Sequence, residues 1–279
     1  MLSDNLKLQP IARIAPPDNA TFQREYVDRG LPVILVQAAA SWPCVNQWSL
    51  DYIEKRCGAN PITLRHIDST ADRTSSKATN MASYLNSIRR DTYCPEYLSE
   101  VPLSVAMPQL TDEVPSDPYT GITSSATTVM LGARTYAACH YHTLSEAIST
   151  QVVGRRRFVL FAPDQRAYLY PRKFWHRSRL RNFSYIDFLH GDLASWPLLQ
   201  QARGYAGILA PGDSIYIPVH WWHTVFSLDR LSVLLVRFFT ASWRRYHYPR
   251  PGLSLLARHV LPSAGKHVVQ QLRTKVINR

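Results

Sequence analysis

The chain has 279 residues, 46% hydrophobic, 11% aromatic and 19% charged, which is enough apolar material for one large core and excludes the disordered and fibrous classes. No apolar run approaches the roughly 18 residues that span a bilayer. The amino terminus (MLSDNLKLQPIARIAPP) lacks the basic-then-apolar order of a secretory leader, so a cytoplasmic location is expected.

Cys44, Cys57, Cys94 and Cys139 are widely spread and form no CxxC pair, which argues against a disulfide framework or zinc ribbon and for reduced, mostly buried thiols. Cys139 stands out because it directly precedes a candidate metal ligand. The net charge of +12 is uneven: residues 1–150 carry 12 Lys or Arg against 15 Asp or Glu (−3), and residues 151–279 carry 20 against 5 (+15). A basic carboxyl half suits an acidic substrate, a nucleic acid or an anionic surface, and equally an ordinary solvated face. Phe174, Trp175, Phe183 and Tyr185 interleave with basic residues from Arg172 onward, making that run a candidate binding strip without a recognisable nucleic-acid motif.

In chain order, residues 18–30 predict a short amphipathic helix capped by Asp18 or Asn19 and stopped by Gly30. LPVILVQA (31–38) predicts a buried strand, Ser49 to Cys57 a helix ended by Gly58, 59–67 a strand, and 80–90 a helix with an Asn cap. The Pro-, Asp- and Ser-rich segment 108–121 reads as a loop. From about 122 the pattern becomes one short strand after another: 127–133, the segment through 140–153, 157–162, 205–210, 214–219 and 231–239. Turns at Pro163-Asp164 and Pro211-Gly212-Asp213 separate them, and the absence of crossover helices predicts a sandwich or barrel. Residues 253–261 and 265–277 predict two basic amphipathic helices able to pack on the barrel or form a homodimer contact. The expected organisation is one structural domain: flanking helices and strands over 1–121, a barrel core over 122–245 and a helical extension over 246–279.

The chemistry concentrates in ACHYH (138–142) and PVHWWH (218–223). Residues i and i+2 of a strand share a side, so His140 and His142 can project into a barrel together while Tyr141 faces away. A third imidazole from a distant strand, His223, completes one face of an ion and leaves positions open, the logic of a facial triad. Imidazole suits iron, zinc, copper and nickel, so these residues alone do not choose the metal. His220 is a reserve ligand if the loop bends. Trp221 and Trp222 fit core packing at the barrel mouth; Trp222 is also a candidate substrate contact.

The surrounding sequence resembles the JmjC and cupin-like hydroxylases. In HYHTLSEAISTQVVGRRRFVLFAPDQRAYLYP (140–171), Gln151, Gly154, Arg155 to Arg157, Phe158 to Phe161 and Pro163 follow the order of that family's first signature. GYAGILAPGDSIYIPVHWWHTVFSL (204–228) is similar to the second, and RGLPVILVQAAASWPCVNQWSL (29–50) to the segment entering the same fold, so the resemblance spans roughly residues 20–240. It is strongest to the asparaginyl-hydroxylase-like members. It implies a mainly β fold, a double-stranded β-helix of the cupin or jelly-roll kind with N-terminal α/β elements and C-terminal helices. It also implies Fe(II)- and 2-oxoglutarate-dependent oxygenation, with O2 and a peptide, protein side chain or small molecule as reactants.

By position His140 and His223 match the two family histidines, and His142 stands where the family has Asp. That departure replaces an anionic ligand with a neutral one. Arg156 matches the family Lys that holds the distal 2-oxoglutarate carboxylate, allowing one inserted residue. Thr135 is a weaker cosubstrate contact. Arg237, an Arg among apolar residues, is expected to face the cavity and bind an anion, with Glu146 as its counter-charge or as a substrate contact. Two other outcomes remain open at this level: a three-His oxygenase that needs no 2-oxoglutarate, and a catalytically silent binding module whose basic half engages an acidic peptide or nucleic acid.

Overall fold

A computed structural model describes residues 1–68, 73–90, 95–172 and 180–240. Its first half contains β1 (Leu8–Pro10), β2 (Arg13–Ile14), α1 (Asn19–Phe22), β3 (Val33–Leu35), α2 (Pro43–Gln47), α3 (Leu50–Cys57), β4 (Pro61–Asp68), β5 (Arg73–Asn80), α4 (Met81–Arg89), β6 (Leu98–Pro102) and α5 (Leu103–Ala106). Strands dominate the second half: β7 (Thr128–Gly132), β8 (Tyr136–His140), β9 (Ser145–Val153), β10 (Arg156–Phe161), β11 (Gly204–Leu209), β12 (Ser214–Ile217), β13 (Trp222–Ser227) and β14 (Ser232–Thr240).

Each early helix starts where a polar side chain can satisfy a free backbone donor. Asp18 accepts from Thr21 N at 2.8 Å, Ser49 from Tyr52 N at 3.1 Å and Asn80 from Ser83 N at 2.8 Å. The first helix continues as a wider π-type turn over Gln23–Val27 and stops at Gly30, whose φ is +62°.

The strands form two mixed sheets, in the expected jelly-roll sandwich arrangement. One runs β1-β11-β10-β13-β8, the other β2-β3-β12-β9-β14-β7-β6. Residues before 122 therefore do more than flank the core, because β1, β2, β3 and β6 are strands of these sheets. The hairpin β4–β5 hangs from β6 through a reciprocal backbone pair between Arg65 and Tyr97, at 2.8 and 2.9 Å.

Both sheets are covered on their outer faces. Leu169, Ile186, Phe188 and Leu199 lie with Phe161, Tyr141 and Trp222 on the first sheet. Phe22, Val27 and Tyr119 cover Ile148 and Tyr216 on the second. Burial on two faces explains why β9, with seven consecutive buried residues, shows no in–out alternation. At the β9–β10 turn, Gly154 has φ +70°, and a Cβ there would meet Leu231 O at 2.2 Å, so only glycine fits.

Asp213 of the Pro-Gly-Asp turn anchors the amino-terminal chain. Its carboxylate accepts from Gln37 N at 2.9 Å and Ala210 N at 3.2 Å and pairs with Arg13 at 2.9 Å.

The expectation for Arg237 does not hold. It lies on the face of β14 opposite the cavity, its guanidinium 4.7 Å from the Trp42 ring, with Nε donating to Thr127 Oγ1 at 3.0 Å and the head 3.5 Å from Asp117. Alternation is the cause: the next residue, Phe238, lines the cavity, so Arg237 turns outward. Glu146 is not its counter-charge. Its carboxylate is buried under the outer layer and accepts from the Tyr216 hydroxyl at 2.9 Å, so it is no substrate contact either.

The strand β13 and the second arm of the hairpin, β5, were not anticipated. β13 carries the Trp-Trp-His run, which reads as a loop before a ligand; β5 is almost wholly polar and exposed. The expected helices at 253–261 and 265–277, with the 246–279 extension and any dimer contact through it, lie outside the described residues. So do Cys94 and residues 173–179 of the basic aromatic run. The three described cysteines are buried and free, and no described helix is long and apolar enough to cross a membrane.

Asp117 and Arg237 are both nearly inaccessible, so removing the carboxylate strands a buried cation. Asp117→Ala is expected to destabilise the fold by roughly 3 kcal/mol in urea denaturation, with a smaller loss for Arg237→Leu.

Candidate metal centre

His140 ends β8 and His223 is the second residue of β13, and the two are directly paired across the antiparallel ladder. A ring stacked beside them comes from Phe183, 4.8 Å from His140 at an interplanar angle of 16°. His142 lies just past the end of β8, in the connection to β9, so it is not on the strand the HxH spacing implies. It still reaches the same place. Ring centroids are 4.3 Å apart for His140 and His223, 4.7 Å for His142 and His223, and 5.5 Å for His140 and His142. One donor nitrogen from each of the three lies within 4.8 Å of the others.

The hydrogen bonds select which nitrogen that is. His140 Nδ1 sits 2.8 Å from Ala138 O and His223 Nδ1 3.1 Å from Trp221 O. A carbonyl only accepts, so each Nδ1 keeps its proton and Nε2 presents a lone pair, the tautomer that ligation requires. His142 Nδ1 is buried with no hydrogen-bond partner. Burial is the main force on all three rings: it lowers His140, takes His142 down to about 3 and holds His223 well below its ordinary value, with repulsion from the neighbouring rings adding to the last two. The cluster is therefore a set of neutral imidazoles at any ordinary pH. Neutral, converging and partly unpartnered nitrogens fit a divalent transition ion such as Fe(II), which would be held by His140, His142 and His223.

The rings open into a cavity of about 420 Å³ whose wall includes Tyr97, Glu100, Met130, Asn182, Phe183 and Phe238. Strand alternation separates the three consecutive arginines. Arg155 turns out to Asp229 at 2.8 Å and Arg157 to Asp4, while Arg156 points between the sheets. Arg156 Nε donates to Ser232 Oγ at 2.7 Å and its Nη2 approaches Met130 O at 3.4 Å. It is 1% exposed, and among the described residues no carboxylate pairs with it; burial pushes it down to about 10. Arg156 is not itself on the cavity wall. It lies behind Met130, which is.

Two expected contacts, Thr135 and Trp222, are placed elsewhere, and the reserve ligand His220 stays outside the cluster. Thr135 precedes β8, and its hydroxyl is 2.6 Å from Ser227 Oγ at the far end of β13, away from the cavity. Trp222 takes the opposite face of β13 from His223 and packs edge-on to Tyr141, 4.6 Å between centroids, so it is core and not a substrate platform. His220 has a left-handed backbone (φ +65°) that turns its ring to Thr143 O at 3.2 Å, outside the cluster. Cys139 is buried on the side away from His140, and burial raises its thiol far above the usual range. Glu100, Tyr97 and Asn182 were not singled out in sequence; each reaches the cavity through loop or bulge geometry that leaves no periodic signal.

Residues 19–245 match the family described as the cupin-like domain, which is most of the chain. The chain belongs to the JmjC-type cupin-like family. Members are typically iron- and 2-oxoglutarate-dependent oxygenases. It is 28% identical over 232 residues to Jumonji C domain-containing protein 5 of Drosophila melanogaster, covering 77% of this chain and 56% of that protein. It is 26% identical over 230 residues to lysine-specific demethylase 8 of Xenopus tropicalis, covering 78% and 50%. A shorter match, 38% over 104 residues, is to HSPB1-associated protein 1 of Rattus norvegicus, covering 37% and 21%. The chain thus spans about half the length, or less, of these curated relatives.

If the three imidazoles act as one donor set, Co(II) or anaerobic Fe(II) binds at one ion per chain and raises the thermal midpoint. His140→Ala and His223→Ala are each expected to weaken binding by roughly tenfold or more in a metal titration, with the metal-free midpoint little changed.

Proposed function

We propose that this JmjC-type cupin-like protein is an Fe(II)- and 2-oxoglutarate-dependent oxygenase that hydroxylates a peptide side chain or small molecule. The observation that carries the reading is a three-imidazole donor set, of which His140 and His142 line a cavity, with a buried arginine behind the same wall that has no carboxylate partner among the described residues. A guanidinium in that position has lost its water and waits for an anion. The distal carboxylate of a 2-oxoacid is the right chemistry for it, because a planar fork matches a carboxylate in two places.

Iron bound there would supply the redox chemistry that couples oxidative decarboxylation of the 2-oxoacid to oxygen transfer. The residues' part is positional. His140, His142 and His223 cover one side of the ion and leave the cavity side for cosubstrate and O2. Arg156, held by Ser232 behind Met130, would take the far carboxylate of the cosubstrate. Phe183 and Phe238, packed against His140 and His142 at 4.8 and 5.1 Å, exclude water from the reacting side.

His142 favours a second reading specifically: three neutral ligands also suit an oxygenase that binds its substrate directly to the metal and uses no 2-oxoacid. Oxygen uptake that persists without 2-oxoglutarate would select it. A silent binding module, engaging an acidic or nucleic-acid partner through the basic carboxyl half, is selected instead if the purified protein takes up no metal.

Under the leading reading, calorimetry detects 2-oxoglutarate binding to the metal-loaded protein, and Arg156→Met weakens it by roughly thirtyfold or more while Arg156→Lys retains part. Succinate should form in step with oxygen consumed. Calorimetric silence for 2-oxoglutarate, with metal bound, removes the cosubstrate from the reading.

A further inference from the structure

The metal centre proposed above has a charge problem that one unassigned residue is placed to solve. A divalent ion on three neutral imidazoles keeps its full double charge, whereas the family's Asp would remove one unit. Among the described residues lining the cavity, Glu100 is the single acid.

Its placement comes from the backbone. β6 pairs with β7 at Leu98↔Leu131 and again at Val101↔Val129, so two residues, Ser99 and Glu100, stand opposite one, Met130. This bulge puts Glu100 at φ +51°, a left-handed conformation that a glutamate rarely adopts. Both bulge residues border the cavity. The Glu100 carboxylate lies within electrostatic reach of the His140 ring. It is exposed and forms no ion pair with any described residue, so among the described residues no cation occupies its charge.

We propose that Glu100 is the charge-compensating carboxylate of the three-histidine centre, facing the bound cation across the cavity and supplying the negative charge that His142 does not. Glu100 thereby strengthens metal binding from a different strand. It is a positioning and electrostatic residue, not a member of the three-nitrogen donor set, since its carboxylate falls outside the cluster of mutually close donor atoms. The inference rests on the metal-binding reading of His140, His142 and His223.

The test is a titration of the full chain with Co(II), read by the ligand-field absorption of the ion. Glu100→Gln is expected to weaken binding by about tenfold, with the metal-free thermal midpoint unchanged because the side chain is exposed. Glu100→Asp keeps most of the affinity. A second variant makes the charge argument specific: His142→Asp should restore more affinity in the Glu100→Gln background than it adds to the parent chain, a non-additivity that a purely structural role would not produce. Unchanged Co(II) affinity in Glu100→Gln, or strict additivity with His142→Asp, overturns the proposal while leaving the metal centre intact. Failure of the parent chain itself to bind Co(II) overturns the metal reading and this inference together, and that outcome is visible before any variant is made.

Discussion

Three imidazoles can share a buried space only if none of them is protonated to the imidazolium, and this one electrostatic condition shapes the centre. Two charged rings separated by 4 to 5 Å inside a closed sandwich would repel strongly with little solvent to screen them. Burial prevents it by disfavouring the charged form, and the carbonyl acceptors at Nδ1 of His140 and His223 fix the tautomer, with the other nitrogen's lone pair turned inward. The β8–β13 ladder brings these two together, and the β8–β9 connection delivers the third. What results is a nest of unprotonated nitrogens, which is unstable with respect to a cation and therefore suited to one.

The same condition explains how arginines are distributed. A basic chain has many guanidinium groups to place, and most are paired at the surface, as Arg155 is with Asp229 and Arg13 with Asp213. Three described ones are buried, Arg156, Arg172 and Arg237, and the surroundings of the first and last differ in kind. Arg237 is held by Asp117, Thr127 and the Trp42 ring on the outer face, which makes it a structural clamp between β14 and the segment before β7. Arg156 meets a hydroxyl, a carbonyl and a thioether, none of them charged. Burial alone therefore does not mark a functional cation.

Much of this was legible in the residues. The caps at Asp18, Ser49 and Asn80, the turn at Pro211-Gly212-Asp213 and the HxH pair with a distant Trp-Trp-His are local chemistry, and local chemistry survives folding. Arg156 was legible because a strand sends alternate residues to opposite faces. Arg237 was misread for the same reason: in a strand buried on both sides, an apolar neighbourhood does not say which side is the cavity. Trp222 packs in the core, the first of its two readings, because it takes the face of β13 opposite His223, whereas Thr135 lies before β8 and turns to Ser227. Glu100 left no trace because a bulge obeys no period, and its neighbours in space lie 40 residues downstream.

His142 then takes on a different meaning. Regarded alone, the loss of the family's Asp looks like damage to the metal centre. Within the fold it is one half of a rearrangement, because a carboxylate enters the same cavity from β6, on a backbone conformation that costs energy to maintain. A relic site has no reason to keep neutral tautomers locked by carbonyls, an arginine without an anion and a strained acid at the same opening. The unpartnered His142 nitrogen, the desolvated Arg156 and the Glu100 backbone each cost stability in the empty protein, and under the proposed reading binding of a cation and an anionic cosubstrate would offset them. The agreement of three separate costs on one occupied state is the physical case for a working centre.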